Sequence, residues 1–438
     1  MQELLRQLIA DSLARPIPAF TRRDAHLPAV RGKAIAVIGM RRSGKTTFLW
    51  QCLADRLAAG APRDALLYLN FEDERLATLR ATDLQWILEE YYRLAPRLRD
   101  RYRVTFFFDE IQVVHGWDAF ARRLMDSEQA ELFLSGSSAR LLSREVASAM
   151  RGRAMETLIH PFSFRESLRH AGAEPDQPFS VWPKALRTEM DGRLREYLTA
   201  GGFPEAQGVP VRDRSDLLRT YVDVVILRDV IERHGVSNPL PLRALQRHLL
   251  TNPGAPFSVQ KFYDSLRSQG IAVGKDTLHT LLGYLEDTFL VRVIALHTAS
   301  ERQRMIHPRK VYPVDPGLIP IYERTGRLNL GQALETAVLV ELERRGCEVS
   351  YVRTREGFEV DFLARSPEGR RTLMQVCADL TDAATRDREV RGLISAAAEY
   401  GDAAPLLITL DAVPPQPALP SSLQWRAAAE WLLDDAQG

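Results

Sequence analysis

The segment from Val37 to Thr47 constrains the fold of this chain more strongly than any other. It fits the pattern G-x-x-x-x-G-K-[ST] without a gap, with an apolar run at 34–38 before it and an amphipathic run at 46–57 after it. This pattern predicts a strand, an anion-binding turn and a helix, because the N–H groups of the turn and the helix N-terminus would face bound phosphates. The predicted nucleotide-binding residues are Gly39, Met40, Arg41, Arg42, Ser43, Gly44, Lys45, Thr46 and Thr47.

Two side chains of this segment have roles that follow from the motif. Lys45 is predicted to reach the β and γ phosphates of ATP during catalysis, and Thr46 is predicted to hold Mg²⁺. The alternative is an ordinary strand-to-helix turn with a chance Gly-Lys-Thr, which the complete spacing and both flanks disfavour. ATP and Mg²⁺ are therefore the predicted cofactors.

The composition is that of an ordinary globular protein. With 438 residues the chain is long enough for about two to four domains. Lysine plus arginine (58) nearly balances aspartate plus glutamate (57), so the net charge indicates neither a nucleic-acid nor a membrane partner. The three cysteines are far apart and predict neither a disulfide framework nor a zinc site. No apolar run has the length of a membrane span and the N-terminus lacks a signal-peptide layout, so we predict a cytoplasmic protein without a membrane partner.

Between residues 32 and 161, apolar segments typical of strands alternate with helical patterns. The predicted strands are 34–38, 65–71, 104–108, 131–135 and 155–160. This alternation predicts an α/β fold in which helices cover both faces of a parallel sheet.

The third predicted strand ends in two adjacent carboxylates, Asp109 and Glu110. Asp109 is predicted to bind Mg²⁺ through water, and Glu110 to orient and deprotonate the attacking water. A polar end to an apolar strand is a common alternative. The position of this pair downstream of a phosphate-binding segment favours the catalytic interpretation.

Polar residues beyond this pair are candidates for contact with the γ-phosphate. Ser137 is the first choice and Ser135 the second, although a Ser-Gly-Ser-Ser run is also typical of a turn. Arg151 and Arg153 are candidate arginine fingers, because a guanidinium makes paired charged hydrogen bonds to phosphate. They could act in a neighbouring subunit, or they could be a solvated surface pair.

Taken together, these motifs resemble one prokaryotic family, the AAA+ superfamily ATPases that carry a C-terminal domain of unknown function. Besides the phosphate-binding segment, the resemblance rests on residues 68–73 (YLNFED), 109–112 (DEIQ) with Trp117, 135–137 (SGS), 151–153 (RGR), 161–166 (PFSFRE), 201–205 (GGFPE) and 227–230 (LRDV). It implies ATP hydrolysis, an ATPase core at 1–165 and a helical lid and linker at 166–238. It also implies that Arg228 is a lid arginine that contacts the phosphates.

Residues 239–320 are predicted to form a winged-helix domain. Ser258 is a typical N-cap for a helix to Leu266, a second helix spans 275–285, and strands at 289–296 and 310–314 flank a basic tip. The predicted DNA-contacting residues are Lys275, Thr277, His279 and Thr280 on the second helix and Arg302, Arg304, Arg309 and Lys310 on the wing. The alternatives are a protein-contact module and a solvated basic tip.

Residues 321–438 are similar to the restriction-endonuclease-like α/β fold. That resemblance implies a helix glutamate, Glu335, and a strand aspartate, Asp361, as Mg²⁺ ligands. The chain departs from the pattern at Gln375 and Cys377, where a carboxylate and a lysine are expected. Because an amide is a poor Mg²⁺ ligand and a thiol carries no ammonium charge, we predict a domain that has lost cleavage and retains DNA or partner binding.

Three functional classes remain open from the sequence. The first is an ATP-driven oligomer, with a hexameric ring as one possibility, that translocates on or remodels DNA. The second is a regulatory switch whose ATP and ADP states alter binding of a protein partner. The third is an ATP-dependent nuclease, which Gln375 and Cys377 count against.

Overall fold

The computed structural model describes residues 1–99, 101–136, 150, 152–323 and 329–434. The chain forms two compact units, one of residues 1–159 with 287–289 and the other of residues 160–286 with 290–438. Within the described ranges, no helix combines the length and the apolar composition that a bilayer crossing requires.

The first unit is built on a parallel sheet, which confirms the predicted α/β fold. Its strands are β1 (Ala34–Ile38), β2 (Leu66–Asn70), β3 (Val104–Asp109), β4 (Ala130–Gly136) and β5 (Ala154–Leu158), in the order β2-β3-β4-β1-β5. Every neighbouring pair is parallel. All six residues of β3 are buried, as expected for a strand covered on both faces.

Among its described residues, this unit has the α-helices α1 (Gln2–Ala14), α2 (Lys45–Ala58), α3 (Gln85–Leu94) and α4 (Trp117–Ser127). Helix α2 follows β1 directly and packs on the sheet through Phe48, Leu49 and Leu53. Because β4 lies between β1 and β3, the carboxyl ends of these three strands meet at one edge. That edge carries the phosphate-binding segment, the Asp109–Glu110 pair and Ser135.

The second unit begins with helices α5 (Phe164–His170), α6 (Lys184–Ala200), α7 (Val211–Val224), a π-helix (Val225–Glu232) and α8 (Pro239–Thr251). The Gly201–Gly202 turn after α6 explains one motif of the sequence. Gly201 has φ +76°, and a Cβ there would collide with the carboxylate of Asp315. That carboxylate accepts hydrogen bonds from the N–H groups of Gly202 (2.7 Å) and Gly317 (2.9 Å). The absence of a side chain at Gly201 therefore allows this buried carboxylate to approach the backbone.

A small antiparallel sheet follows, with the strand order β6-β8-β7. Its strands are β6 (Pro256–Phe257), β7 (Val291–Ile294) and β8 (Arg309–Pro313), and helices α9 (Val259–Ser268) and α10 (Lys275–Asp287) lie between β6 and β7 in sequence. The Ser258 side chain caps α9, as predicted. The segment between β7 and β8 differs from the predicted hairpin tip, because it contains a short helix, α11 (Glu301–Ile306).

The C-terminal part of this unit is a mixed sheet in the order β13-β12-β11-β10-β9. Strands β9 (Glu348–Arg353), β10 (Glu359–Arg365) and β11 (Arg371–Cys377) are antiparallel, whereas β12 (Ala403–Thr409) and β13 (Gln424–Ala427) continue in parallel from β11. The remaining helices are α12 (Ile319–Tyr322), α13 (Leu330–Arg344), α14 (Ala383–Glu399) and α15 (Ala428–Leu433). Residues of α13 contribute to one hydrophobic core with sheet residues, and residues of α14 contribute to a second.

Candidate nucleotide-binding site

The loop after β1 has the backbone geometry that its glycines make possible. Gly39 has φ +147° and Gly44 has φ +99°, and a Cβ on Gly39 would collide with the carbonyl oxygen of Ile159. Arg42 also has a positive φ, +66°. Helix α2 begins at Lys45 without a side-chain cap, so the N–H groups of its first turn lie next to this loop.

Lys45 lies within this loop and is only 5% exposed. Its ammonium donates hydrogen bonds to the carbonyl oxygens of Gly39 and Met40, both at 3.1 Å. It also lies 4.0 Å from the carboxylate of Glu110. The structure therefore brings the predicted phosphate-binding lysine and the predicted catalytic glutamate together.

Asp109 is the centre of a hydrogen-bond network at the same edge of the sheet. Its Oδ2 accepts from Thr46 Oγ1 (2.8 Å) and from Tyr68 OH (2.7 Å), and its Oδ1 accepts from Ser135 Oγ. Asp109 is 1% exposed, and this burial raises the pKa of its carboxyl. A cation beside it would stabilise the ionised form that burial disfavours.

The donor set around Asp109 fits the implied Mg²⁺. Thr46 and Asp109 contribute a hydroxyl and a carboxylate oxygen, which are the hard ligands that Mg²⁺ takes alongside water and phosphate. In the chain as described, these two side chains contact each other directly. They are the residues that would hold the ion.

Glu110 adopts an unusual backbone conformation, with φ +54°. Its N–H donates to Ser135 Oγ at 2.9 Å, and its carboxylate accepts from the amide of Gln112. Positive φ values in residues other than glycine are uncommon and often occur at functional sites. Ser135 thus touches both members of the acidic pair, while Ser137, the first choice for a γ-phosphate contact, lies outside the described residues.

The three arginines proposed to act on phosphate have different positions. Arg153 makes an exposed ion pair with Asp126 at 2.5 Å within the first unit. Arg151 lies outside the described residues. Arg228 is exposed on the π-helix of the second unit. Their roles toward phosphate stay predictions.

Two residues of this site were missed by sequence reasoning. The hydroxyl of Tyr68 donates a hydrogen bond to Asp109. The guanidinium of Arg23 donates to the carbonyl oxygen of Ser43 at 2.9 Å and so stabilises the loop. Tyr68 belonged to a quoted motif, and its position in the middle of β2, the strand beside β3, was the available signal. Sequence reasoning could not assign Arg23 this contact, because it depends on how the segment around Arg23 packs against α2.

In the second unit, most predicted DNA-contacting residues are exposed. The exposed ones are Lys275, Thr277, His279 and Thr280 on α10 and Arg302 and Arg304 on α11, whereas Arg309 is half-buried. The structure contradicts the prediction that Lys310 contacts DNA. It is 2% exposed, and its ammonium is surrounded by the carboxylates of Glu359 (2.8 Å), Asp361 (3.1 Å) and Glu335 (3.4 Å). A buried, fully paired lysine cannot contact a DNA phosphate.

This Lys310 cluster contains three of the four residues predicted for a degenerate nuclease site. The Gln375 amide donates to Asp361 at 2.9 Å and to Glu389 at 2.7 Å, and Tyr312 OH donates to Glu335 at 2.5 Å. Cys377 is not part of the cluster, since its thiol contacts the carbonyl oxygen of Asp379 instead. Across the described ranges, no group of three or more His, Cys, Asp or Glu residues is arranged to hold a metal ion.

The ionisation of this cluster follows from its burial. Burial and the neighbouring charge of Asp361 raise the pKa of Glu335 to about 8. Burial acts to lower the pKa of Lys310, but the three carboxylates outweigh it, and the pKa of the ammonium is raised overall. Lys310 therefore stays charged at neutral pH.

The chain matches two family models. Residues 31–168 match the AAA domain, and residues 191–326 match a domain of unknown function (DUF8612). The first match spans the whole phosphate-binding edge of the parallel sheet.

Two relatives match the chain over most of its length. The uncharacterized protein MJ1544 of Methanocaldococcus jannaschii is 32% identical over 394 residues, covering 89% of this chain and 84% of the relative. An uncharacterized protein of Haemophilus influenzae is 30% identical over 333 residues, covering 76% of this chain and 79% of the relative.

Solved structures are similar at lower levels. The Walker-type ATPase PABY2304 of Pyrococcus abyssi has a TM-score of 0.41 at 16% identity and covers 74% of this chain and 95% of its own. The Orc1 protein of Aeropyrum pernix, in complex with DNA, has a TM-score of 0.27 at 14% identity and covers 73% of this chain and 90% of its own. Similarity at these TM-scores carries no argument about function. The two curated relatives and the AAA domain show that the chain belongs to their family, within the AAA+ superfamily of P-loop ATPases.

Proposed function

We propose that this protein hydrolyses ATP with Mg²⁺ and works as an oligomeric DNA-binding motor. The observation that carries the ATPase proposal is the meeting of Lys45, Thr46, Asp109 and Glu110 at one edge of the parallel sheet. Thr46 lies 2.8 Å from Asp109, and Lys45 lies 4.0 Å from Glu110. A phosphate-binding lysine, two oxygen ligands for the ion and a general base are the groups that this reaction needs.

The chain's own residues have separable roles in this proposal. Lys45 would exchange its loop carbonyls for phosphate oxygens, and Thr46 and Asp109 would hold Mg²⁺, which neutralises phosphate charge when bound. Glu110 would accept the proton of the attacking water. Ser135 would orient the acidic pair, since it binds the Glu110 N–H and the Asp109 carboxylate. Ser137, Arg151, Arg153 and Arg228 remain proposed contacts to the transferred phosphate.

The DNA-binding proposal is supported by the module at 239–320. We infer a winged helix there, which is supported by the succession of helices α9 and α10 and the small β6-β8-β7 sheet. Lys275, Arg302 and Arg304 are exposed there and fit contact with a phosphate backbone. The domain limits 1–165, 166–238, 239–320 and 321–438, the nuclease-like fold of the last, and assembly into a ring belong to the same proposal.

ATP hydrolysis by the full-length protein, measured at about 0.1 M salt, tests both parts. Single-stranded, duplex and branched DNA are added in turn, with Glu110→Gln as the blank. Stimulation of about tenfold or more by one DNA form supports the motor, a cutoff equal to roughly 1.4 kcal/mol of barrier. An Arg302→Ala/Arg304→Ala variant should lose that stimulation, whereas Arg353→Ala, an exposed arginine on β9, should keep it.

A second function, an ATP-dependent switch, is favoured by one observation at the site. The carboxylate of Glu110 is held by the amide of Gln112, an arrangement that occupies the general base. A low ATPase rate that no DNA form changes would support the switch. It would also direct the search toward a protein partner.

A further inference from the structure

The Lys310 cluster has the geometry of a cation site that a side chain already fills. One ammonium lies within 3.4 Å of carboxylates from Glu335, Glu359 and Asp361. Those carboxylates belong to two elements, α13 and β10, while Lys310 belongs to β8. The three N–H donors of the ammonium can thus be matched by three carboxylate groups.

The spacing of the oxygens suits an ammonium and not a metal ion. The distances from Lys310 Nζ are 2.8, 3.1 and 3.4 Å. Mg²⁺ requires oxygens at about 2.0–2.1 Å and Ca²⁺ at about 2.3–2.6 Å. The carboxylates would have to move inward to coordinate either ion.

Surrounding groups hold the carboxylates at this wider spacing. Oδ2 of Asp361 accepts from the Gln375 amide (2.9 Å) and the Val376 N–H (3.1 Å), which leaves Oδ1 for Lys310. Tyr312, two residues along β8 from Lys310, donates to Glu335. A Cβ on Gly254 would lie 3.1 Å from Glu335 Oε2, so backbone closes that side of the cluster.

We propose that the ammonium of Lys310 is a built-in cation that takes the place of a divalent metal ion at Glu335, Glu359 and Asp361 and ties β8 to the C-terminal sheet. The C-terminal part of the chain then needs no metal to fold. The carboxylates are also unavailable for metal-dependent cleavage. The module of α9, α10 and the β6-β8-β7 sheet is then held to the C-terminal sheet by this charged contact, in addition to the bridge between Leu296 and Tyr351.

Removing the lysine should convert the cluster into a metal site. Lys310→Met keeps a side chain of similar length but leaves the buried carboxylates without a counter-charge. Glu359 is 39% exposed, so a cation from solvent has a route to the cluster. A divalent ion would relieve the repulsion once the ammonium no longer blocks inward movement of the oxygens.

The experiment measures Mn²⁺ bound per full-length chain without nucleotide, by the loss of the free Mn²⁺ signal in electron paramagnetic resonance. The proteins are the wild type, Lys310→Met, Glu335→Gln, the double variant of these two, and Lys261→Met, which removes an exposed lysine on α9. Any Mn²⁺ at Thr46 and Asp109 is common to all five. With no ATP present, the result is independent of the proposed hydrolysis.

We expect the wild type, Glu335→Gln and Lys261→Met to bind equal amounts of Mn²⁺. Lys310→Met should bind one ion more, and the double variant should lose it. In EDTA, the melting temperature of Lys310→Met should fall by about 6 °C or more, while Lys261→Met melts like the wild type. Mn²⁺ should restore part of that loss.

Two results would overturn the proposal. One is a wild type that loses a bound Mn²⁺ on Glu335→Gln, since the native cluster would then take a metal despite Lys310. The other is a folded Lys310→Met that gains no Mn²⁺ and melts like the wild type. If Lys310→Met fails to fold, the tie to the sheet is supported, and the wild type against Glu335→Gln still decides the metal question.

Discussion

The two buried lysines of this protein, Lys45 and Lys310, lie in opposite electrostatic surroundings. Lys45 contacts two neutral backbone carbonyls at 3.1 Å and has one carboxylate at 4.0 Å. Lys310 has three carboxylates within 3.4 Å. Hydrogen bonds to neutral carbonyls are weaker than hydrogen bonds to charged acceptors. Lys45 can therefore exchange its partners for phosphate, whereas Lys310 is held as a structural charge.

Burial alone therefore does not identify a functional lysine. Both side chains are almost inaccessible to water, at 5% and 2% exposure. Among the described contacts, they differ in the distance from the ammonium to the carboxylates, which is 4.0 Å for Lys45 and 2.8–3.4 Å for Lys310. A ligand anion competes easily with carbonyl groups and poorly with three carboxylates.

The largest effect is expected at Glu110, whose carboxylate lies 4.0 Å from Lys45. Glu110→Gln should lower the ATP hydrolysis rate by about 10²-fold or more, because the amide cannot accept a proton from water. ATP affinity, measured with a fluorescent nucleotide, should change less than about threefold, a shift below 1 kcal/mol. An equal loss of affinity would show that Glu110 contributes to binding, contrary to the assigned role.

Next in size is the loss of Lys45 itself. Lys45→Met should weaken ATP binding by about 10²-fold, since charged hydrogen bonds to the phosphates disappear. Its melting temperature without nucleotide should stay near that of the wild type. Lys310→Met is the matched control and should show the reverse pattern, with ATP affinity kept and stability lost. The same pattern in both variants would show that the two lysines do not have different roles.

A smaller effect is expected from Tyr68, which donates to Asp109 at 2.7 Å. Tyr68→Phe removes a hydrogen bond to a buried carboxylate, so the Mg²⁺ concentration for half-maximal ATPase rate should rise by about tenfold. Tyr102→Phe changes an exposed tyrosine of the same unit and serves as the control. If both variants need the same Mg²⁺ as the wild type, Tyr68 is only a packing residue.

The last prediction concerns the pH dependence of stability at the Lys310 cluster. The pKa of Glu335 is raised from 4.5 to about 8, so the folded state binds more protons than the unfolded state between these values. The contribution of Glu335 to stability should therefore fall as pH rises from 5 to 8, across the interval set by that pKa shift.

Glu335→Gln provides the reference, because an amide does not titrate. Urea unfolding at several pH values should show the wild type losing stability relative to Glu335→Gln, by an amount on the order of a few kcal/mol at most. A difference that stays constant with pH would mean that Glu335 is ionised in the folded state throughout.

Sequence reasoning was most successful where function depends on consecutive residues. The glycines at 39 and 44 and the following lysine define a loop whose geometry is fixed by local backbone conformation. The strand ending in Asp109 and Glu110 was equally visible, because a fully buried strand is a continuous apolar run. It failed for Lys310, which was assigned to DNA from a cluster of basic residues between two strands.

The parallel sheet, the phosphate-binding loop and the position of the acidic pair could be predicted from the sequence, because short-range backbone preferences and hydrophobic runs encode them. The partners of Tyr68, Ser135 and Lys310 depend on the packing of the folded chain. Those partners are 41, 26 and between 25 and 51 residues away in the chain. Such contacts arise when strands and helices pack, and no local pattern records which carboxylate a distant side chain will meet.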